Sequence, residues 1–202
     1  AGADIIEGGA GADNIDGDSD NVTIAGGVGA DTIAVGTGTA TVKYTTNLDG
    51  QSSLLTITAV GDATDDFVAT GGTTTDSITA EWAVANDLIK IDGALKTSLE
   101  ASGATDISST TANLNYNAIG IFVIATAQAQ LDAANFGDVS DLVANFNIGN
   151  GTPSNTAAND EIIFTIENAA ATETGIYYLK DVNGDGEMGV GDQVALLGIV
   201  ID

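Results

Sequence analysis

The first 43 residues of the chain repeat with a period of nine, and the phase of the repeat never slips. The two clearest units read GGAGADNID over Gly8–Asp16 and GGVGADTIA over Gly26–Ala34. The eighth position is always β-branched and apolar: Ile6, Ile15, Ile24, Ile33 and Val42. A unit this short holds one glycine-rich turn and one very short strand, so it must stack on its neighbours to bury its apolar face. The repeat therefore predicts a short parallel β-roll over residues 1–43, with one inward side chain per unit.

The turns of this repeat carry carboxylates. The sixth position is Asp in three units and apolar in two: Asp4, Asp13, Asp31, Val22 and Ala40. Two units make one coil, so units two apart stack and their turns face each other. One Ca²⁺ between two stacked turns would be held by their two carboxylates and by main-chain carbonyls that glycine allows to point inward. The site predicted in this way comprises Gly8, Gly9, Gly11, Asp13, Gly26, Gly27, Gly29 and Asp31.

A second, weaker calcium site is predicted beside the first. Asp4 stacks on the degenerate unit that begins at Gly17, where Asp18 and Asp20 can substitute for the missing carboxylate. The unit that contains Ala40 has no carboxylate and would end the array. The alternative for the whole repeat is a glycine-rich β-solenoid that binds no metal.

A third candidate site lies near the end of the chain, over Asp181–Asp192. This segment fits the calcium-loop pattern D-x-[DN]-x-[DN]-G with an acid at position twelve. Its predicted ligands are the side chains of the first, third, fifth and twelfth positions and the carbonyl of the seventh: Asp181, Asn183, Asp185, Asp192 and Glu187. An Asp stands where a bidentate Glu is usual, and no helix precedes the loop. The alternative is a Gly/Asp-rich hairpin turn.

Residues 44–202 lack the nine-residue period and predict a β-rich domain with one or two short helices. The predicted strands are Leu54–Val60, Phe67–Thr70, Ser77–Ala83, Asp87–Ile91, Ile119–Ala125, Glu161–Ile166, Gly175–Leu179 and Val194–Ile201. Apolar residues at helical spacing predict a helix over Val139–Phe146, with Asp138 as its N-cap. Ala101–Asn113 and Gly149–Asn159 are predicted loops. The predicted fold class is mainly β.

Charge and composition exclude several functions. The chain has 29 acidic residues, four lysines and no arginine, for a net charge of −25, which disfavours nucleic acid and anionic membranes as partners. It has no cysteine and no histidine, so disulfides and the usual zinc, copper and haem sites are excluded. No stretch approaches the roughly 18 apolar residues that cross a bilayer. Two further acidic groups, Asp62 with Asp65 and Asp66, and Asp160 with Glu161, are interpreted as solvated surface. With so few bases and nucleophiles, we expect no active site.

The turns GGAGAD (Gly8–Asp13) and GGVGAD (Gly26–Asp31), each followed by x-Ile-x, resemble RTX repeats, the calcium-binding nonapeptides of proteins exported by type I secretion. The resemblance covers about a fifth of the chain. The last 28 residues, from Gly175, are similar to the ends of many RTX proteins, where the uncleaved export signal lies. Because the chain begins inside a repeat, we expect residues 1–43 to be the end of a longer array.

The resemblance implies a secreted protein that is unfolded at low cytosolic calcium and folds outside the cell. The Ala/Thr/Gly/Asn-rich, lysine-poor composition resembles surface-layer or adhesin polypeptides, so the expected partners are calcium ions, other copies of the chain or other cell-surface components. The alternative is the C-terminal export and folding domain of a type I secreted protease or lipase whose catalytic domain lies upstream. A cytosolic calcium sensor is rejected because the terminal loop is single and lacks flanking helices.

Overall fold

The computed structural model of the chain describes residues 2–18, 21–50, 55–56, 76–79, 88–101, 106–110, 120–128, 158–168, 172–184 and 188–201. The described strands are β1 (Asp4–Ala10), β2 (Asn14–Asp16), β3 (Val22–Val28), β4 (Thr32–Ala34), β5 (Ala40–Tyr44), β6 (Leu55–Thr56), β7 (Asp76–Thr79), β8 (Leu88–Ile91), β9 (Asp106–Thr110), β10 (Gly120–Gln128), β11 (Asp160–Asn168), β12 (Glu173–Asp181) and β13 (Gln193–Ile201). One helix, α1 (Gly93–Ala101), is described. The prediction of a mainly β chain is confirmed.

Successive strands of the repeat segment alternate between two sheets, and within this segment the paired strands are parallel. Strands β1, β3, β5 and β8 form the first sheet in that order, while β2 and β4 lie at one end of the second sheet. Each strand pairs with the strand two units further along: Ile6 lies opposite Ile24, Ile24 opposite Val42, and Ile15 opposite Ile33. The offset in each pair is two repeat units, so side chains with the same position in the repeat form columns across each sheet.

The eighth position of the repeat lies in the core. Ile24, Ile33 and Val42 are fully buried and Ile15 is nearly so, while Ile6 on the terminal strand is half-buried. The expectation of one inward side chain per unit is wrong, because Val22 and Ala40 at the sixth position are buried as well. Strands β3 and β5 are seven and five residues long, and alternate residues of a strand this long share one face.

The second sheet continues from the repeat into the rest of the chain. Strand β4 pairs with β7 in parallel, β7 pairs with β13, and β13, β12 and β11 follow as antiparallel neighbours. One apolar cluster includes Ile33 and Val42 from the repeat together with Tyr178, Leu197 and Val200 from the later strands. The sheet and the core thus run through the domain boundary predicted at residue 43, and the repeat buries its apolar face partly against these strands.

The later strands largely follow their predicted positions. The predicted strands Glu161–Ile166, Gly175–Leu179 and Val194–Ile201 lie within β11, β12 and β13, and Asp87–Ile91 and Ile119–Ala125 overlap β8 and β10. The predicted strands Leu54–Val60 and Ser77–Ala83 are described only in part, as the short strands β6 and β7. The strand predicted at 67–70 and the helix predicted at 139–146 lie outside the described residues, and of the loop predicted at 149–159 only the last two residues are described.

Two predictions for the middle of the chain are corrected. The loop predicted over Ala101–Asn113 contains β9, which pairs in parallel with β10, because Ile and Thr residues favour the edge position that β10 offers. Helix α1 was not predicted. Leu95 and Leu99 lie one turn apart and are both buried, and the carboxylate of Asp92 accepts a hydrogen bond from the Gly93 N–H at the start of the helix.

Candidate metal centre

The turns Gly8–Asp13 and Gly26–Asp31 lie directly against each other. A side chain on Gly27 would overlap the carbonyl oxygen of Gly9, and one on Gly29 would overlap the carbonyl of Gly11. Gly27 and Gly29 also have φ angles of +101° and +136°, which side-chain-bearing residues rarely adopt. Glycine at the second and fourth positions therefore allows the main-chain carbonyls of one turn to approach the backbone of the next turn closely.

The carboxylate at the sixth position folds back over the first glycine of its own turn. A Cβ atom on Gly8 would lie 2.9 Å from Oδ2 of Asp13 and 2.6 Å from the carbonyl oxygen of Gly26. A Cβ atom on Gly26 would overlap Oδ2 of Asp31. Glycine at the first position thus leaves room for the carboxylate and, at Gly8, also for the carbonyl of the stacked turn. Both carboxylates point toward the inside of their turns rather than into solvent.

The two predicted carboxylates belong to one arrangement. Asp31 is 2% exposed, and its Oδ1 atom accepts a hydrogen bond of 2.8 Å from the main-chain N–H of Asp13, eighteen residues earlier. Asp13 is half-buried, and its Oδ2 atom is buried and has no hydrogen-bond partner. A buried carboxylate oxygen without a donor is costly, and a bound cation would offset that cost.

The donor set at these turns is oxygen only, from carboxylates and main-chain carbonyls, which is the type that Ca²⁺ prefers. Within the described ranges, no group of three or more acidic side chains converges as a metal-binding cluster. A cation at the stacked turns would therefore depend on Asp13, Asp31 and nearby main-chain carbonyls such as that of Gly26, which lies on the same side of Gly8 as Oδ2 of Asp13. These residues fit a hard cation by their chemistry, with main-chain oxygens and water completing the shell.

The structure describes two of the three acids of the second predicted site, Asp4 and Asp18, and both are exposed. Asp4 is exposed and lies opposite Val22 in the first sheet. Asp18 is exposed with φ +59°, and its N–H donates to Oδ1 of Asp16. Asp20 lies outside the described residues. The register places a buried apolar residue, rather than a carboxylate, beside Asp4.

The terminal loop brings its first and last acids together. Asp181 and Asp192 are both buried. Asp192 accepts hydrogen bonds of 2.9 Å from the N–H groups of Val182 and Gly189, and Oδ1 of Asp181 accepts one of 2.6 Å from Gly184. Both carboxylates thus close the turn between β12 and β13. Asn183 is exposed, while Asp185 and Glu187 lie outside the described residues.

Sequence reasoning missed two buried acids: Glu161, which was interpreted as solvated surface and is 7% exposed, and Asp49. The two carboxylate oxygens of Asp49 accept hydrogen bonds from the main-chain N–H groups and hydroxyls of Thr45 and Thr46. The next residue, Gly50, donates its N–H to the carbonyl of Gly27 at 3.0 Å, which ties this turn to the stacked turns. The sequence did contain an indication of this turn, because Thr45 and Thr46 precede Asp49 by four and three residues, and side chains at such short separations often hydrogen-bond to the local backbone. Both carboxylate oxygens of Asp49 accept hydrogen bonds from the protein, whereas Oδ2 of Asp13 accepts none.

The described helix of this protein is too short to span a bilayer. Comparison of the chain with protein-family models, with curated proteins and with solved structures finds no significant match, so the resemblance to RTX repeats rests on the repeat itself.

Proposed function

We propose that this chain is a non-catalytic, calcium-binding C-terminal module of a secreted bacterial surface protein of the surface-layer or adhesin type, with a short RTX β-roll at its start. Calcium ions are its cofactor, and other copies of the chain or other cell-surface components are its partners. Its role is structural: it folds outside the cell when calcium binds and then supports assembly at the cell surface.

The observation that carries this proposal is the stacking of Asp13 under Asp31. Oδ2 of Asp13 is buried without a hydrogen-bond donor, and Asp31 is nearly inaccessible to water. Lys43, Lys90 and Lys180 form ion pairs with Asp92 and Glu161, which lie far from these turns in the sequence. Two carboxylates on directly stacked turns in a chain of net charge −25 repel each other, so a divalent cation is the natural counter-charge.

Calcium binding and folding are coupled in this proposal. The stacked turns exist only when the chain is folded, so a cation that binds between them stabilises the folded state by its binding free energy. The strands of the repeat share a sheet and a core with β7, β12 and β13, so ordering of the turns also favours ordering of the later strands. Low calcium would keep the chain unfolded, and high calcium would fold it.

The terminal loop at Asp181–Asp192 is proposed as a separate calcium loop. Carboxylate oxygens have lone pairs beyond those that accept the described hydrogen bonds, so Asp181 and Asp192 can hold a cation and close the hairpin together. If the loop is only a hairpin turn, its acids will contribute the same stability with and without calcium. A contribution to stability that depends on calcium therefore indicates a calcium loop, and one that does not depend on calcium indicates a hairpin turn.

The test is a calcium titration followed by far-UV circular dichroism. We expect the wild-type chain to lose β structure in a chelator and to recover it cooperatively as calcium is added. The variants Asp13→Asn and Asp31→Asn keep the shape of the side chain but remove one charge each, and each should raise the calcium midpoint by roughly tenfold, the effect of about 1.4 kcal/mol. Asp192→Asn reports on the terminal loop in the same titration.

The matched control is Asp16→Asn, which removes one charge from the same repeat unit at an exposed position. Its midpoint should stay close to that of the wild type. Equal folding of the wild-type chain with chelator and with millimolar calcium would show that folding does not depend on calcium. Equal midpoints for Asp13→Asn, Asp31→Asn and Asp16→Asn would remove the stacked turns as a calcium site.

A further inference from the structure

The turn that follows β5 carries a buried carboxylate in the register of the repeat. Asp49 follows Asp31 by eighteen residues, as Asp31 follows Asp13. Eighteen residues are two repeat units, which is the offset at which the turns of this fold stack. Asp49 is 3% exposed and Asp31 is 2% exposed, so the two are equally buried. The column of carboxylates at the sixth position therefore has three members.

Residues 45–50, called here the 45–50 turn, form a third layer on the stacked turns. The N–H of Gly50 donates to the carbonyl of Gly27 at 3.0 Å, and Asp49 forms a β-bridge with Val28. Because β3 lies between β1 and β5 in the first sheet, this layer lies on the far side of β3 from β1. The bridge is antiparallel, whereas the paired strands of the repeat are parallel, so the chain leaves the direction of the repeat at this turn.

The carboxylate of this third layer is held by the protein itself. Its Oδ2 atom accepts hydrogen bonds from the main-chain N–H groups of Thr45 and Thr46 and from the Thr45 hydroxyl, and its Oδ1 atom accepts one of 2.7 Å from the Thr46 hydroxyl. Tyr44 stands at the first position, where the two lower turns have glycine. Because four donors already point their hydrogens at the oxygens of Asp49, a cation would have to displace them.

The 45–50 turn also contacts the later elements of the fold. The carbonyl of Thr45 accepts a hydrogen bond of 2.7 Å from the N–H of Leu95 in α1. Gly50 has φ +80°, and a Cβ atom on it would overlap the carbonyl oxygen of Leu197 in β13. The same six residues thus join the stacked turns on one side to α1 and β13 on the other.

We propose that the 45–50 turn is a metal-free layer that ends the column of cation sites. The donors of Thr45 and Thr46 take the place that a cation takes between the two lower turns, so the third carboxylate adds no cation to the column. The layer holds the stacked turns to α1 and β13 at any calcium concentration. The comparison with the lower turns rests on the proposed function, whereas the hydrogen bonds of Asp49 do not.

The test compares variants of the full chain by differential scanning calorimetry, from the lowest calcium concentration at which the wild type unfolds cooperatively up to saturation. Asp49→Asn should lower the thermal midpoint by roughly 5 °C or more, the effect of losing hydrogen bonds to a buried charged group. This deficit should be the same at every calcium concentration. Asp31→Asn should show a deficit that grows with calcium, as expected for a ligand. The exposed control Asp16→Asn should show little deficit throughout.

Two results would overturn the proposal. A deficit of Asp49→Asn that grows with calcium would make Asp49 a cation ligand, and a deficit no larger than that of Asp16→Asn would show that the turn does not hold the fold together. If Asp49→Asn does not fold, Thr46→Val removes one hydroxyl donor and keeps a β-branched side chain. A deficit of that variant that does not grow with calcium supports the proposal, and a growing deficit or none rejects it.

Failure of the proposed function gives a different result. A wild-type midpoint that does not rise with calcium would reject the calcium function of the lower turns. The comparison of Asp49→Asn with Asp16→Asn would still decide whether the 45–50 turn holds the stacked turns to α1 and β13, because the donors of Asp49 belong to the chain.

Discussion

The first and sixth positions of the repeat constrain each other at the level of single residues. Where the sixth position is Asp13 or Asp31, the first is glycine, and the carboxylate occupies the space that a Cβ atom would need. Where the sixth position is Ala40, the first is Val35, which is buried in the core. Where the sixth position is Val22, the first is Gly17, and a Cβ atom there would meet the carbonyl oxygen of Val35 and the side chain of Val22. Within residues 1–43, a carboxylate turn therefore has glycine at its first position, whereas an apolar turn has either glycine or a side chain.

This coupling predicts the effect of a single methyl group. Gly26→Ala would place a Cβ atom against the carboxylate of Asp31 and should destabilise the folded chain by about 1–3 kcal/mol, the range for overpacked sites. The control is Gly189→Ala, because a Cβ atom there meets nothing within 4 Å and the backbone is not left-handed. Urea unfolding at fixed calcium measures both variants, and an equal loss of stability in the two would contradict the coupling.

At the level of elements, helix α1 is held at its start by a group of charges. Asp92 accepts a hydrogen bond from the Gly93 N–H and forms ion pairs with Lys90 at 2.9 Å and Lys43 at 3.6 Å. The hydrogen bond from Lys90 is the largest cause that lowers the pKa of Asp92 from 3.8 to about 2, and the Gly93 N–H adds to it. An N-cap carboxylate at a helix start is thus combined with two lysines from the first sheet.

The lowered pKa has a defined consequence for stability against pH. A carboxyl whose folded pKa lies below its unfolded pKa stabilises the fold above the unfolded value, and this contribution is lost as the pH falls from about 4 to about 2. Because Asp92 is exposed to solvent, salt should weaken the effect. An NMR titration of the carboxyl carbon should give a pKa near 2. Lys90→Gln should raise it toward 3.8, whereas Lys96→Gln should not. A pKa of Asp92 that stays near 3.8 in the wild-type chain would contradict this account of the helix start.

At the level of the whole molecule, 29 acidic residues and four lysines leave the folded chain under strong self-repulsion. Any cation reduces this repulsion by screening, but only a cation with a specific site adds its binding free energy to folding. Calcium accepts irregular shells of oxygen ligands, whereas magnesium requires a small octahedral shell and retains its water. A comparison of calcium with magnesium therefore distinguishes stabilisation by a specific binding site from stabilisation by charge screening.

The expected outcome is a large difference between calcium and magnesium at matched ionic strength. The thermal midpoint should continue to rise with the logarithm of calcium concentration, and a hundredfold excess over Kd corresponds to about 2.7 kcal/mol per site. Magnesium should give a much smaller rise. Differential scanning calorimetry provides the measurement, with sodium chloride as the screening control. Coincident curves for the two divalent ions would mean that screening alone stabilises the chain.

Local rules were enough to predict much of the fold. The nine-residue period predicts which repeat residues lie opposite each other, and short runs of apolar residues predict β11, β12 and β13 closely. The pair Asp13 and Asp31 was also predictable, because a phase that never slips brings equivalent positions of stacked turns together. Helix α1 and strand β9 were not predicted, because a nine-residue helix and a Ser/Thr-rich strand depend on the neighbours that they pack against.

The amino-acid pattern alone accounts for the mainly β class, the pairing of repeat units and the candidate ligands, since each follows from spacing along the chain. Tertiary structure alone decides that β4 continues through β7 into β13, that Val22 and Ala40 join the core, and that Glu161 faces a cavity beside α1. The physical reason is separation along the chain. Contacts between distant segments depend on how the whole core packs, and no local period encodes them.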